Sequence, residues 1–155
     1  MGDNRITKCR AKTMKNYFIG NGTDLPSEKE KIAAFTENGT GMVVGYTMYN
    51  AMRLTTQVSK SIQIYTSALN EPKKQIGNVF LQKYDMIFSP EVVRVVAMLE
   101  VLQNYNKIED LNEMQFKKLC EDFARQYDEK VCEYVLSNIS YSEQTIALLK
   151  AILDS

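Results

Sequence analysis

The spacing of apolar and small residues between 41 and 69 constrains the fold more than any other feature of the chain. Val44, Met48, Ala51, Thr55, Val58, Ile62, Tyr65 and Leu69 follow one another in alternating steps of four and three, the period of a helix that presents one seam to its neighbours. The positions flanking the seam, Gly45, Met52, Ser59 and Thr66 on one side and Thr47, Leu54, Ser61 and Ala68 on the other, are uncharged and mostly small. A two-stranded coiled coil usually carries Glu and Lys there. The pattern therefore predicts a core helix that touches several neighbours in a bundle. Its only charges, Arg53 and Lys60, fall seven residues apart on the outward face, and no acidic residue lies between Glu37 and Glu71. Arg53 and Lys60 are accordingly candidate partner-binding residues.

The rest of the chain also reads as helix. Ser27 with Glu30 forms a capping box ahead of a short helix carrying Ile32, Ala33 and Phe35, which Asn38-Gly39 ends. Pro72 to Phe88 suggests an amphipathic helix with Ile76, Phe80, Tyr84, Ile87 and Phe88 inward. Ser89-Pro90 caps the next, running to about Gln103. Its run from Val92 to Leu102 is apolar nearly all round, broken by Arg94 and Glu100. A helix of that kind is surrounded by others. Asn112 and Gln115 open a long helix to about Leu136 with Phe116, Leu119, Phe123, Tyr127, Val131 and Val135 as its stripe; Ser140 and Glu143 open the last. The expected fold is all-α, a compact bundle of about six helices around a central apolar helix at about 90–103, with no sheet larger than a two-stranded piece near the N-terminus. The expected division is a basic, irregular or extended arm at 1–26 and a helical domain at 27–155.

At 155 residues, 45% hydrophobic and 25% charged, the chain is long enough to bury one core. Its net charge is zero but unevenly spread. Residues 1–20 carry five basic groups against Asp3, whereas residues 91–155 carry seven basic against twelve acidic. Arg5, Lys8, Arg10, Lys12 and Lys15 thus form a candidate anion-binding or partner-binding arm, with Tyr17 and Phe18 available to stack on bases. The same charge pattern suits an arm docked on its own C-terminal helices, or two copies joined head to tail.

Histidine is absent, which removes the commonest general base, the commonest metal ligand and the usual partner of a nucleophilic Ser or Cys. Cys9, Cys120 and Cys132 are too scattered for a zinc site, so neither metal nor cofactor is expected. Their odd number, with no apolar leader at the start, predicts free thiols and an intracellular, cytoplasmic setting. No run approaches the roughly 18 apolar residues that cross a bilayer. Glu121, Asp122, Asp128, Glu129 and Glu133 crowd one predicted helix, where Glu121, Arg125 and Glu129 at steps of four read as a solvated face. Gly39, Gly41 and Gly45 read as a helix cap and a close helix contact, because no Lys-Ser or Lys-Thr follows as a phosphate loop requires. With the best patterns all packing seams, the expected function is a non-enzymatic protein-interaction module: a self-assembling subunit, or a regulator or inhibitor that occupies a partner's surface. The alternatives are a nucleic-acid-associated protein using the basic arm and a small histidine-free enzyme working through Asp, Glu, Arg or Tyr.

Overall fold

The computed structural model describes residues 27–154. At its start the capping box forms: Ser27 Oγ accepts from the Glu30 N–H at 3.1 Å, and Glu30 Oε1 accepts from the Ser27 N–H at 2.8 Å. Helix α1 (Glu28–Thr36) follows. It ends where Asn38 and Gly39 turn the backbone through φ values of 61° and 75°.

Beyond this turn the all-α bundle is overturned. The described residues hold six α-helices and a four-stranded sheet. Where the spacing predicts a helix through 41–69, the chain forms strand β1 (Gly41–Val44), the short helix α2 (Gly45–Ala51), a loop and strand β2 (Ile62–Thr66). The reason is visible in β2, whose Ile62, Ile64 and Thr66 are buried while Gln63 is exposed. That is a period of two, which the heptad overlooks by skipping Ile64, and β-branched residues suit it. Val58, an expected seam residue, is 79% exposed in the loop. The glycines also have a different role. A Cβ on Gly41 would lie 2.2 Å from the Phe35 carbonyl oxygen and 2.5 Å from that of Tyr65, so only glycine lets β1 pass between α1 and β2. Gly45, at φ 73°, turns the strand directly into α2.

The predicted helix over 72–88 is instead a hairpin of β3 (Lys73–Ile76) and β4 (Val79–Lys83). Ile76 pairs with Val79, leaving Gly77-Asn78 as a two-residue turn with Gly77 at φ 61°, the chemistry that tight hairpins prefer. The sheet order is β1-β2-β4-β3. β1 and β2 run antiparallel, β2 and β4 parallel, β4 and β3 antiparallel.

The central apolar helix is present as α3 (Pro90–Gln103), capped by Ser89 with proline in its first turn. Val96, Leu99 and Val101 are wholly buried in the main core. The long helix to Leu136 is two, α4 (Glu113–Arg125) and α5 (Glu129–Leu136). Asp128 makes the break: its backbone is extended and its carboxylate accepts from the N–H groups of Lys130 and Val131, starting a new helix. Cys120 and Cys132 therefore sit on different helices, both as free thiols, while Cys9 lies outside the described residues. Arg125 pairs with Asp122 rather than bridging Glu121 and Glu129. Ser142, not Ser140, caps the last helix, α6 (Glu143–Leu153).

The elements form three layers. α1 covers one sheet face, where Ile32 and Phe35 pack on Ile62, Ile64, Leu69, Val79 and Leu81. On the other face, Met42 and Val44 of β1 join the main core with α3. No helix among the described residues is long and apolar enough to cross a membrane.

Candidate functional site

Where α3 meets the sheet, its apolar surface carries one carboxylate. Glu100 is 6% exposed, and no ion pair to it occurs among the described residues. A buried charge is costly unless hydrogen-bonded, and here tyrosines supply the bonds. Tyr65 of β2 donates to Glu100 Oε2 at 2.9 Å, and Tyr141, between α5 and α6, donates to the same oxygen at 2.7 Å. Tyr84 packs edge-on against Tyr65 with ring centroids 4.8 Å apart. The cluster thus ties β2 and the segment between α5 and α6 to the last turn of α3, with Tyr84 packed on through Tyr65. Burial pushes the Glu100 pKa above the ordinary glutamate value, and the two phenol donors oppose that rise. Burial first, then the nearby carboxylate, raises Tyr65 and Tyr141 as well, which keeps them as donors.

Glu100 also lines a pocket of about 190 Å³ with Tyr46, Tyr49, Ser59, Ser61, Gln63 and Asn104. Several of its polar groups are already engaged. Tyr49 and the Asn104 amide donate to the Glu100 backbone carbonyl at 3.2 and 2.9 Å, and Tyr46 donates to that of Lys107 at 2.9 Å. In the sequence Glu100 is only an interruption of an apolar run. The signal that marks it is a carboxylate set inside the apolar run Val92–Leu102, with Met98, Leu99, Val101 and Leu102 on either side of it.

The predicted site residues are not brought together in the expected way. Arg53 and Lys60 are exposed, but they lie in the loop between α2 and β2 and share no helix face. Arg53 follows the end of α2 at φ 64°, its N–H bonded to the Asn50 carbonyl, while the Leu54 N–H reaches that of Tyr49. This is a Schellman closure with arginine where glycine is usual. The Lys60 carbonyl accepts from the Asn78 side chain at 2.7 Å, fixing the loop to the hairpin turn. Arg5, Lys8, Arg10, Lys12 and Lys15 lie outside the described residues. Glu121, Asp128, Glu129 and Glu133 are exposed, as a solvated face requires. Among the described residues no group of three or more His, Cys, Asp or Glu is gathered to hold a metal.

A second feature lies on the sheet. α3 packs at the β1 end, and toward β3 the same face opens as a trough of about 590 Å³. Register places Phe80 of β4 between Gln63 of β2 and Gln75 of β3, with Gln82 and Lys73 alongside. Phe80 is 42% exposed although β4 is an interior strand. No protein-family model, curated protein or solved structure matches the chain.

Proposed function

We propose that this chain is a non-enzymatic protein-interaction module that receives a partner segment in the trough on β2, β4 and β3. The observation that carries the reading is Phe80, an aromatic side chain left 42% exposed on an interior strand and framed by the amides of Gln63 and Gln75. Aromatic anchors ringed by polar groups dominate binding energy at protein interfaces. Lys73 lines the same trough, on the face that carries Phe80 and Gln82, and is in no ion pair among the described residues. The chemistry that fits is a protein segment with an apolar side chain beside a carboxylate. Arg53 and Lys60 add exposed positive charge in the loop leading to β2 and extend the set of candidate contacts.

Selection from a random peptide display library tests the reading. Enriched peptides should combine acidic and apolar residues, and Phe80→Ala and Lys73→Glu, checked as folded by circular dichroism, should each weaken them about tenfold, as loss of a hot spot does. No enrichment, or binders indifferent to both substitutions, would count against the proposal. The histidine-free enzyme reading has one feature in its favour, the desolvated Glu100 carboxylate among tyrosines. The nucleic-acid reading rests on residues 5–15, outside the described residues.

A further inference from the structure

The two phenol donors to Glu100 converge on a single oxygen. Oε2 receives both Tyr65 and Tyr141, whereas Oε1 receives no hydrogen bond from any described residue. Among the described residues, no fully buried side-chain oxygen or nitrogen lacks a partner, so Oε1 keeps a sliver of accessible surface. Glu100 contributes to the wall of the 190 Å³ pocket, and the Tyr49 phenol on the same wall lies near enough to the carboxylate to feel its charge. Other polar groups of the pocket complement it. The Ser59 and Ser61 hydroxyls are hydrogen-bonded to each other at 3.1 Å, and Ser59 Oγ also accepts from the Ser61 N–H at 3.2 Å, which leaves lone pairs on Ser61 Oγ to accept from a ligand; the Gln63 side chain makes no hydrogen bond to a described residue. The rings of Tyr46 and Tyr49 form another wall, edge to face with centroids 5.7 Å apart.

We propose that this pocket binds a small primary ammonium compound, with the Glu100 carboxylate as its counter-ion. An ammonium group has three N–H donors and no acceptor, which matches a carboxylate oxygen, a serine hydroxyl and the Gln63 carbonyl. Tyrosine rings add cation–π attraction. A carboxylate that is 6% exposed and has no cationic partner among the described residues gains most from such a ligand. Pockets for drug-sized molecules usually run from about 300 to 1,000 Å³, so the smaller volume here restricts the ligand to a few heavy atoms. An amino acid and a simple alkylamine share the required group. They differ in a carboxylate that Lys107, also on the pocket wall, would favour.

The test is a titration followed by backbone amide NMR with three probes: L-alanine, ethylamine and propionate. L-Alanine or ethylamine should produce saturable shifts at Ser59, Ser61 and Asn104, and propionate should produce none. Tighter binding of L-alanine identifies the amino acid as the source, and equal binding the amine alone. Glu100→Gln should weaken the responding probe about tenfold or more, the loss expected for a hydrogen bond to a charged group. Should Glu100→Gln not fold, Ser61→Leu fills the pocket without touching the tyrosine bonds and should block binding. The proposal is overturned by propionate binding, by absence of saturable shifts where a millimolar Kd would saturate, or by a Glu100→Gln or Ser61→Leu variant that binds as the wild type does. The display selection is read at Phe80 and Lys73, which line only the trough, and the titration at Glu100 and Ser61, which line only the pocket, so neither result decides the other although Gln63 borders both.

Discussion

Removing one hydroxyl from the Glu100 cluster should destabilise the protein more at high pH than at low pH. Tyr141→Phe keeps the ring and deletes only the O–H that donates to Glu100 Oε2 at 2.7 Å. A hydrogen bond to an ionised carboxylate contributes about 1.5–3 kcal/mol, whereas one between neutral groups contributes about 0.5–1.5 kcal/mol. The Glu100 pKa is raised by burial and restrained by Tyr141 and Tyr65, with Tyr49 and Tyr84 as the other titratable neighbours. The folded pKa thus stands above the unfolded one. The stability this group contributes is fully present below the unfolded pKa and is lost as pH rises through the folded pKa. Deleting the Tyr141 donor moves the folded pKa higher still, so the loss continues to higher pH. The deficit of Tyr141→Phe relative to wild type should therefore grow from about 1 kcal/mol on the acid side of the Glu100 titration to about 2 kcal/mol on the alkaline side. Urea denaturation followed by far-UV circular dichroism suits a chain without tryptophan. It should be run at steps from about pH 4 to about pH 9 to bracket the titration. A deficit that is constant, or that shrinks as pH rises, would refute the argument.

Gly41→Ala should cost about 3 kcal/mol or more, because its methyl must displace two backbone carbonyls; an unchanged urea midpoint would exclude the close approach. Val58→Asp, at a side chain 79% exposed, should change stability by no more than about 0.5 kcal/mol, whereas a core helix through 41–69 would be unfolded by it. Arg53→Gly relieves a left-handed residue that costs roughly 1 kcal/mol in a non-glycine and gives part of that back as unfolded-chain entropy. The net effect should be a small rise in Tm by calorimetry, and a fall would mean that the arginine side chain stabilises the loop.

The signals that could be read in the sequence were local ones. The Ser27–Glu30 box, the Ser89-Pro90 start and the Asn112 cap all form, because each is a short-range contest for orphan N–H groups that few residue types can win. The buried stretch Val92–Leu102 is legible for a similar reason, since a helix apolar on every side has nowhere else to go. The sheet is obscured by two coincidences. Between 41 and 69 a glycine-bounded strand, a seven-residue helix and a second strand happen to keep apolar residues at steps of three and four. In 72–88 the Gly77-Asn78 turn, a hairpin signal, sits between Ile76 and Phe80, which also share a helix face. What decided both cases was tertiary: β2 pairs with β1 on one side and, in parallel, with β4 on the other. The Glu100 cluster was harder still, since Tyr65, Glu100 and Tyr141 are joined only by the fold.

The nine-residue α1 has no fully buried side chain, yet it roofs the second core. Isolated helices shorter than about 12–15 residues are marginal in water, so α1 holds its shape only while docked. Undocking and melting are then a single event, with an opening free energy well below that of the molecule as a whole. Amides of α1 should exchange with solvent earlier than those of α3, and each opening bares Ile62, Ile64, Val79 and Leu81 together on two adjacent strands. A row of that kind is what another chain needs in order to stick. The first step toward aggregation is thus the departure of one small helix, with α3 and everything packed around it still folded.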